Sequence, residues 1–270
     1  MLETYSRPVA GLIFFLVLSL IMTYPVVCHL WDAIPLDLGD PLFVVWVLDW
    51  DIKKILSFDL LTLWQANIFY PASYTLAYSE HFFMQALFGL PVYVLSGSLI
   101  FTYNLLFLSS FVLSGWGMYL FVRTLTGQQA PAFISGIIFA FFPYRFAHLG
   151  HLQLLTLQWV PFAFLYLHRF LHQPSSRHLA LFGLFYVMQV LSCGYYALFL
   201  SLFVGLFGVF HFVVEKQLPS RDMGRQVLFL TCAVAVLTGP FFYPYLHVKE
   251  LFGFSRSFEE TIFFSADVMN

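Results

Sequence analysis

The sequence predicts an all-α fold, a polytopic bundle of transmembrane helices. Three observations lead there. Of 270 residues, 60% are hydrophobic and only 10% are charged, where an average soluble domain carries about 25% charged residues. Thirty-five Phe, fifteen Tyr and six Trp are more aromatic bulk than a water-soluble core of this size encloses. Long apolar runs also recur along the chain, and a helix needs about 20 such residues to cross a hydrocarbon core of about 30 Å. These features exclude a soluble enzyme and a disordered chain. A net charge of −2 leaves no basic excess for nucleic acid, so none is expected as a partner.

The first expected span is Pro8–Leu30. It reads as retained, because the run is long for a signal peptide and lacks a small-x-small exit. Further spans are Leu99–Val122, Ala132–Ala147, Leu152–Leu167, Leu179–Ser192, Tyr195–Val214 and Val227–Tyr243. Phe82–Ser96 is apolar but short, and Gln85, Gly89 and Pro91 interrupt it. The excess of Lys and Arg in cytoplasmic loops arbitrates. If this stretch does not cross, the inner face holds Arg7, Arg123, Arg169, Arg177, Lys216, Arg221 and Arg225, and the outer face holds Lys53, Lys54, Arg145, Lys249 and Arg256. If it crosses, only Arg7, Arg145, Lys249 and Arg256 stay inside. The first count predicts about seven crossings, a cytoplasmic N-terminus and a re-entrant or interfacial Phe82–Ser96. Residues 1–270 read as a single membrane domain. Phe263–Asn270 shows no closing helix, which leaves open that the chain is the N-terminal part of a longer protein. Cys28, Cys193 and Cys232 are far apart and read as packing residues.

Charge is scarce, so its placement is informative. The outer-face loop, residues 31–81, holds Asp32, Asp37, Asp40, Asp49, Asp51, Asp59 and Glu80 among many aromatic rings. Between Pro41 and Leu63 the apolar residues recur at helical spacing, which predicts amphipathic helix in the interface plane or an amphipathic cap on the bundle. A second polar cluster, Phe142-Pro143-Tyr144-Arg145-Phe146-Ala147-His148-Leu149-Gly150-His151-Leu152-Gln153, falls on the same outer side. His148 and His151 share a face if a helix continues there, whereas Gly150 allows a tight turn. Ionisable residues beside a membrane suggest function; the plainer reading is a polar connection with Arg145 snorkelling to lipid phosphate. Together the clusters can line one pocket, where carboxylates and imidazoles hold a divalent metal or act as acid and base. A shared pocket requires the Asp40 carboxylate within about 10 Å of Glu80, His148 or His151, the reach of one metal or substrate group.

The order of features resembles the C-type integral-membrane glycosyltransferases, which include protein O-mannosyltransferases, lipid A aminoarabinose transferases and galacturonosyltransferase-like bacterial proteins. One span leads to an outer loop with an early Asp in Leu38-Gly39-Asp40-Pro41, closed by Ser79-Glu80-His81; then come Arg123-Thr124-Leu125-Thr126-Gly127, Pro143-Tyr144-Arg145 and Gly150-His151-Leu152-Gln153. The resemblance implies transfer of a sugar from a polyprenyl-phosphate donor to an envelope acceptor, at the outer face of a bacterial inner membrane. It implies Asp40 as the catalytic base. Donor-phosphate contacts fall on Arg145, His148, Glu80 and His81, and a divalent metal on Glu80 and His151. The family's second acidic position has no Asp here, so His151 or Gln153 stands in its place. The competing expectations are a transporter or flippase and a structural subunit of an envelope assembly. A transporter favours ionisable or broken-helix positions at mid-membrane, in repeats, and these spans are almost free of charge.

Overall fold

The computed structural model describes residues 2–215, 220–253 and 257–263, and the side chains of residues 2–7 and 215 are not described. Lys216, Arg256 and residues 264–270, on which part of the topology reading rested, lie outside the described residues, as does the Arg7 side chain. The helices in chain order are α1 (Leu2–Met22), α2 (Asp40–Leu56), α3 (Phe83–Ser96), α4 (Leu99–Thr126), α5 (Gln129–Phe141), α6 (Pro143–Ala147), α7 (Leu152–Leu155), α8 (Trp159–His172), α9 (Ser176–Val190), α10 (Gly194–Glu215), α11 (Arg221–Phe252) and α12 (Phe258–Phe263). No strand occurs among the described residues. The fold is all-helical. Among the described residues, four helices are long and apolar enough to cross a membrane: Leu99–Thr126, the joined Gln129–Ala147, Gly194–Val214 and Arg221–Phe252. Pro8–Met22 and Phe83–Ser96 are shorter apolar helices.

Helix ends follow local chemistry. The hydroxyls of Ser98, Ser175 and Ser220 accept from the backbone N–H groups of Phe101, His178 and Met223, starting α4, α9 and α11. Gly127 ends α4 at φ +70°, a left-handed conformation that costs glycine little. The expected Pro8–Leu30 run stops as a helix at Met22; Pro25 follows three residues beyond and disfavours helix at Tyr24. The expected Leu152–Leu167 span is also divided. After α7 the chain breaks at Thr156, and α8 starts at Trp159 with Pro161 in its first turn, where a missing N–H is tolerated.

Contacts fix the helix directions. The Trp116 indole N–H donates to the Pro8 carbonyl, while the Asn104 amide donates to the carbonyls of His29, Leu30 and Ala33, so α1 and α4 are antiparallel. Ring pairs Trp116–Phe162 and Phe121–Phe164 set α8 parallel to α4. Phe164–Phe207 does the same for α10 relative to α8. Among the described residues, α1, α4, α5 with α6, α8, α9, α10 and α11 therefore run alternately along the bundle. At the α1–α4–α5 crossing, a Cβ on Gly115 or Gly136 would sit 2.3 or 2.4 Å from the Phe15 ring. Only a hydrogen there admits the fully buried Phe15.

The 23–82 connection does not stand off in solvent. The α2 face of Val44, Val47, Leu48, Asp51 and Ile52 is buried, in a core that includes Trp64, Leu76, Phe82, Phe107 and Leu152. α3 turns at Gly97 into α4 and packs antiparallel on its first turns, Gly89 lying against Thr102 and Leu106. This end of the bundle is the loop end.

Candidate functional site at the loop end

A cavity of about 1080 Å³ opens at the loop end. Three separated segments bring polar side chains to it: Glu80 and His81 from the end of the loop, Tyr144, His148, His151 and Gln153 from the α6–α7 region, and Tyr195 and Tyr196 from the start of α10. Tyr245 of α11 closes one side, its hydroxyl oxygen accepting from the His81 backbone N–H at 3.0 Å.

Asp40, the first residue of α2, follows Gly39, whose N–H is held by the Asp37 carboxylate at 2.9 Å. Its Oδ2 lies 3.1 Å from His151 Nε2, which meets the expectation that this carboxylate reaches a histidine of the outer turn. The Asp40 side chain is 67% exposed and is not part of the cavity wall. His151 uses Nε2 on Asp40, while its Nδ1 is enclosed without a hydrogen bond.

His148 is held differently. Its Nδ1 sits 2.8 Å from the Tyr144 carbonyl, one helical turn back. The ring stacks on Tyr144 at 4.0 Å and meets His151 edge to face at 5.8 Å.

Glu80 caps α10. Its Oε1 accepts from the Gly194 N–H at 3.1 Å and from the Cys193 thiol, and Oε2 is enclosed without a partner. Burial raises its pKa above the usual carboxylate range, and the bonds from Cys193, Gly194 and Tyr195 oppose that rise. Burial, with Glu80 nearby, likewise pushes the Cys193 thiol up. A carboxylate at a helix N-terminus is favourable, so the position has a structural use beside any chemical one.

His81 is buried among Trp64, Phe241 and Tyr245. Its Nδ1 accepts from the Phe83 N–H at 3.3 Å, so the neutral ring keeps its proton on Nε2. Burial drops its pKa to about 4. Beneath it, the wholly buried Asp51 accepts from the Phe82 N–H at 3.1 Å with Oδ2, and its Oδ1 has no partner. Burial pushes this carboxyl up to about 8, which the Phe82 bond only partly opposes.

Arg145 does not reach the cavity wall, contrary to its expected contact with a donor phosphate or with lipid. The side chain is fully buried. It donates from Nη1 to Ser114 Oγ and from Nη2 to Ser110 Oγ, both at 3.0 Å, and lies over the Phe111 ring at 4.3 Å. Short α6 turns it inward, where Ser110 and Ser114, one turn apart on α4, present two hydroxyls on one face.

Glu80 and His151, the expected metal pair, both line the cavity, but among the described residues no three His, Cys, Asp or Glu side chains form a group that could hold a metal ion. Tyr245 and the Cys193-Gly194 cap escaped the sequence reading, because each lies more than a hundred residues from the loop it meets, and the Tyr196 hydroxyl donates to the Leu154 carbonyl 42 residues earlier. Comparison with family models, with characterised proteins and with solved structures finds no match for the chain.

Proposed function

We propose that the chain transfers a sugar from a polyprenyl-phosphate donor to an envelope acceptor at the outer face of a bacterial inner membrane, as its resemblance to the C-type glycosyltransferases implies. The observation that carries this reading is the cavity. Glu80 from the loop meets His148 and His151 of the α6–α7 region there, with Asp40 3.1 Å from His151 outside the wall. At about 1080 Å³ it exceeds the roughly 300–1,000 Å³ of common small-molecule sites and has room for a sugar phosphate and part of an acceptor. Tyr144 and Tyr195 are exposed and offer flat faces to a sugar ring. The buried Arg145 cation, on the segment that carries Tyr144 and His148 into the wall, adds positive potential at this end of the bundle.

The topology reading gains support from the alternating helix directions, which suit seven crossings. α3 starts beside the cavity and rises antiparallel to the first part of α4, as a re-entrant element would. Arg123, Arg169, Arg177, Arg221 and Arg225 all fall at the end of the bundle opposite the loop, the end that a cytoplasmic excess of positive charge favours. The exposed apolar faces of α10 and α11, including Leu198, Phe203, Phe210, Phe229 and Val236, suit contact with lipid tails.

The test is purified full-length protein in bilayer discs, supplied with polyprenyl phosphate carrying a radiolabelled hexose and with envelope lipids as acceptors. Label should move to an acceptor. Binding of the donor without transfer, or its passage across a vesicle wall, would favour a flippase; no interaction with any donor would remove the reading.

A further inference from the structure

Sugar transfer of the proposed kind needs one group that takes the acceptor proton, and the resemblance puts that role on Asp40. The geometry points to His148 instead, with Asp40 and His151 as positioning residues; this inference rests on the transferase reading for its chemistry.

The argument is one of lone pairs. A carbonyl oxygen only accepts, so His148 Nδ1, 2.8 Å from the Tyr144 carbonyl, carries the proton of the neutral ring. Nε2 then holds the lone pair, on a half-buried ring that lines the cavity. Stacking on Tyr144 at 4.0 Å fixes the ring plane, and that tyrosine lines the same cavity. The other candidates are each committed elsewhere. His81 accepts at Nδ1 from the Phe83 N–H, so its Nε2 is a donor. His151 spends Nε2 on Asp40, and its Nδ1 is enclosed. Glu80 spends Oε1 on the start of α10 and its Oε2 is enclosed. Asp40 stands outside the wall, its Oδ2 3.1 Å from His151 Nε2. Among the described His, Glu and Asp residues of the wall, His148 combines a place on the cavity with a ring nitrogen that is neither enclosed nor set against another side chain.

In the step itself, His148 Nε2 takes the hydroxyl proton of the acceptor as that oxygen bonds to the anomeric carbon of the sugar. The bond from that carbon to the donor phosphate breaks, and its electron pair leaves on the phosphate. The imidazolium keeps its Nδ1–H on the Tyr144 carbonyl. Next to it, the edge-on His151 ring carries the influence of the Asp40 carboxylate. His148 thereby becomes a catalytic residue rather than a phosphate ligand.

The experiment compares full-length wild type with His148→Gln, Asp40→Asn and His172→Gln, using the labelled polyprenyl phosphate hexose. His172 is the control, since its Nδ1 also meets the carbonyl one turn back, at 2.9 Å, but at the opposite end of the bundle. His148→Gln should lower kcat by about 10²–10⁴-fold, the usual worth of a positioned base, with donor Kd within about twofold. Asp40→Asn should lower kcat less than about tenfold, the scale of one lost hydrogen bond, and His172→Gln should change nothing. A larger loss from Asp40→Asn than from His148→Gln, or a His148→Gln effect confined to donor Kd, overturns the assignment. A second readout is independent of turnover: nitrogen NMR of ¹⁵N-histidine protein, with His148→Gln identifying the signal. A neutral His148 ring protonated at Nδ1 supports the assignment, and one protonated at Nε2 overturns it. If wild type transfers no sugar, the transferase reading fails while the tautomer still decides the His148 geometry.

Discussion

His148 and His172 make the same local bond, each ring nitrogen Nδ1 meeting a carbonyl one helical turn earlier at 2.8 and 2.9 Å. Their surroundings differ. His148 lies at the loop end, stacked on Tyr144 and edge-on to a histidine that a distant Asp40 holds. His172 lies at the other end, itself exposed in the last turn of α8 beside His168 and His211. The contrast extends to the whole bundle. At the loop end, Gln85, Asp51 and Asn104 are buried and bonded across separations of 31 to 107 residues. At the opposite end, His172 and His178 bond carbonyls within five residues. A helix supplies an oriented imidazole at either end; only segments brought from elsewhere turn one of them into part of a site.

The sharpest way to break this comparison is to ask whether the two ends face different compartments. In a variant with Cys28, Cys193 and Cys232 replaced, a cysteine at Ser73 should label fully with an impermeant maleimide from outside, and one at Ser175 should not label at all. Ser73 is exposed in the loop, and Ser175 starts α9 at the other end. The reverse pattern would invert the topology and put the cavity in the cytoplasm.

The next largest effect concerns burial. The Gln85 amide donates to Thr156 Oγ1 at 3.1 Å and to the Ser192 carbonyl at 2.7 Å, while Gln189 donates to the Thr156 carbonyl at 2.8 Å. These bonds tie α3 to the starts of α8 and α10. Gln85→Ala leaves two buried acceptors without a donor and opens a void, at a cost of about 2–4 kcal/mol. His172→Ala, on an exposed turn, should stay within about 0.5 kcal/mol. Thermal unfolding in detergent reads both, and equal effects would mean that the loop end is no more specified than the other.

Buried titratable groups also give the loop end a pH signature. Asp51 is raised to about 8 by burial, so between the unfolded value of 3.8 and 8 the folded state binds more protons, and stability falls as pH rises. His81 is lowered to about 4, so between 4 and 6.5 the folded state binds fewer protons, and stability rises with pH. The two slopes oppose each other up to 6.5, and Asp51 is left to dominate from 6.5 to 8. Wild type should therefore lose melting temperature over the upper window. Asp51→Asn should flatten it there and uncover the His81 rise below. A decline that persists unchanged in Asp51→Asn would mean that Asp51 is not its source.

The sequence made the helical class and the apolar runs legible, because each is written in composition and spacing. The Asp40–His151 proximity was legible only as a requirement of a shared pocket. What stayed hidden was the destination of individual polar groups. Glu80 caps a helix that starts 114 residues later, and the Tyr245 hydroxyl meets a backbone N–H 164 residues earlier. No local period encodes such pairs. Arg145 left one readable trace, the two serines one turn apart on α4, but neither their spacing nor the Pro-Tyr-Arg motif says that α6 points inward.

That inward arginine supplies the smallest and most discriminating comparison, Arg145 against Arg169, which lies over Tyr166 at the opposite end. Arg145→Met keeps much of the volume and the Phe111 contact but removes the charge. If the guanidinium only biases the potential of the cavity, the loss is that of a charge acting at a distance. Two unit charges about 15 Å apart at an effective dielectric of about 20 attract by about 1 kcal/mol, roughly a fivefold change in affinity. Donor Kd, measured by filtration of labelled lipid, should rise by about that factor in Arg145→Met and not in Arg169→Met, with kcat at saturating donor preserved. A rise beyond about a hundredfold would mean that Arg145 swings out to touch the phosphate, since direct charge-assisted bonds are worth that much more. No rise at all would mean that Ser110, Ser114 and Phe111 hold a purely structural cation, and that the anion is bound by the histidines of the wall.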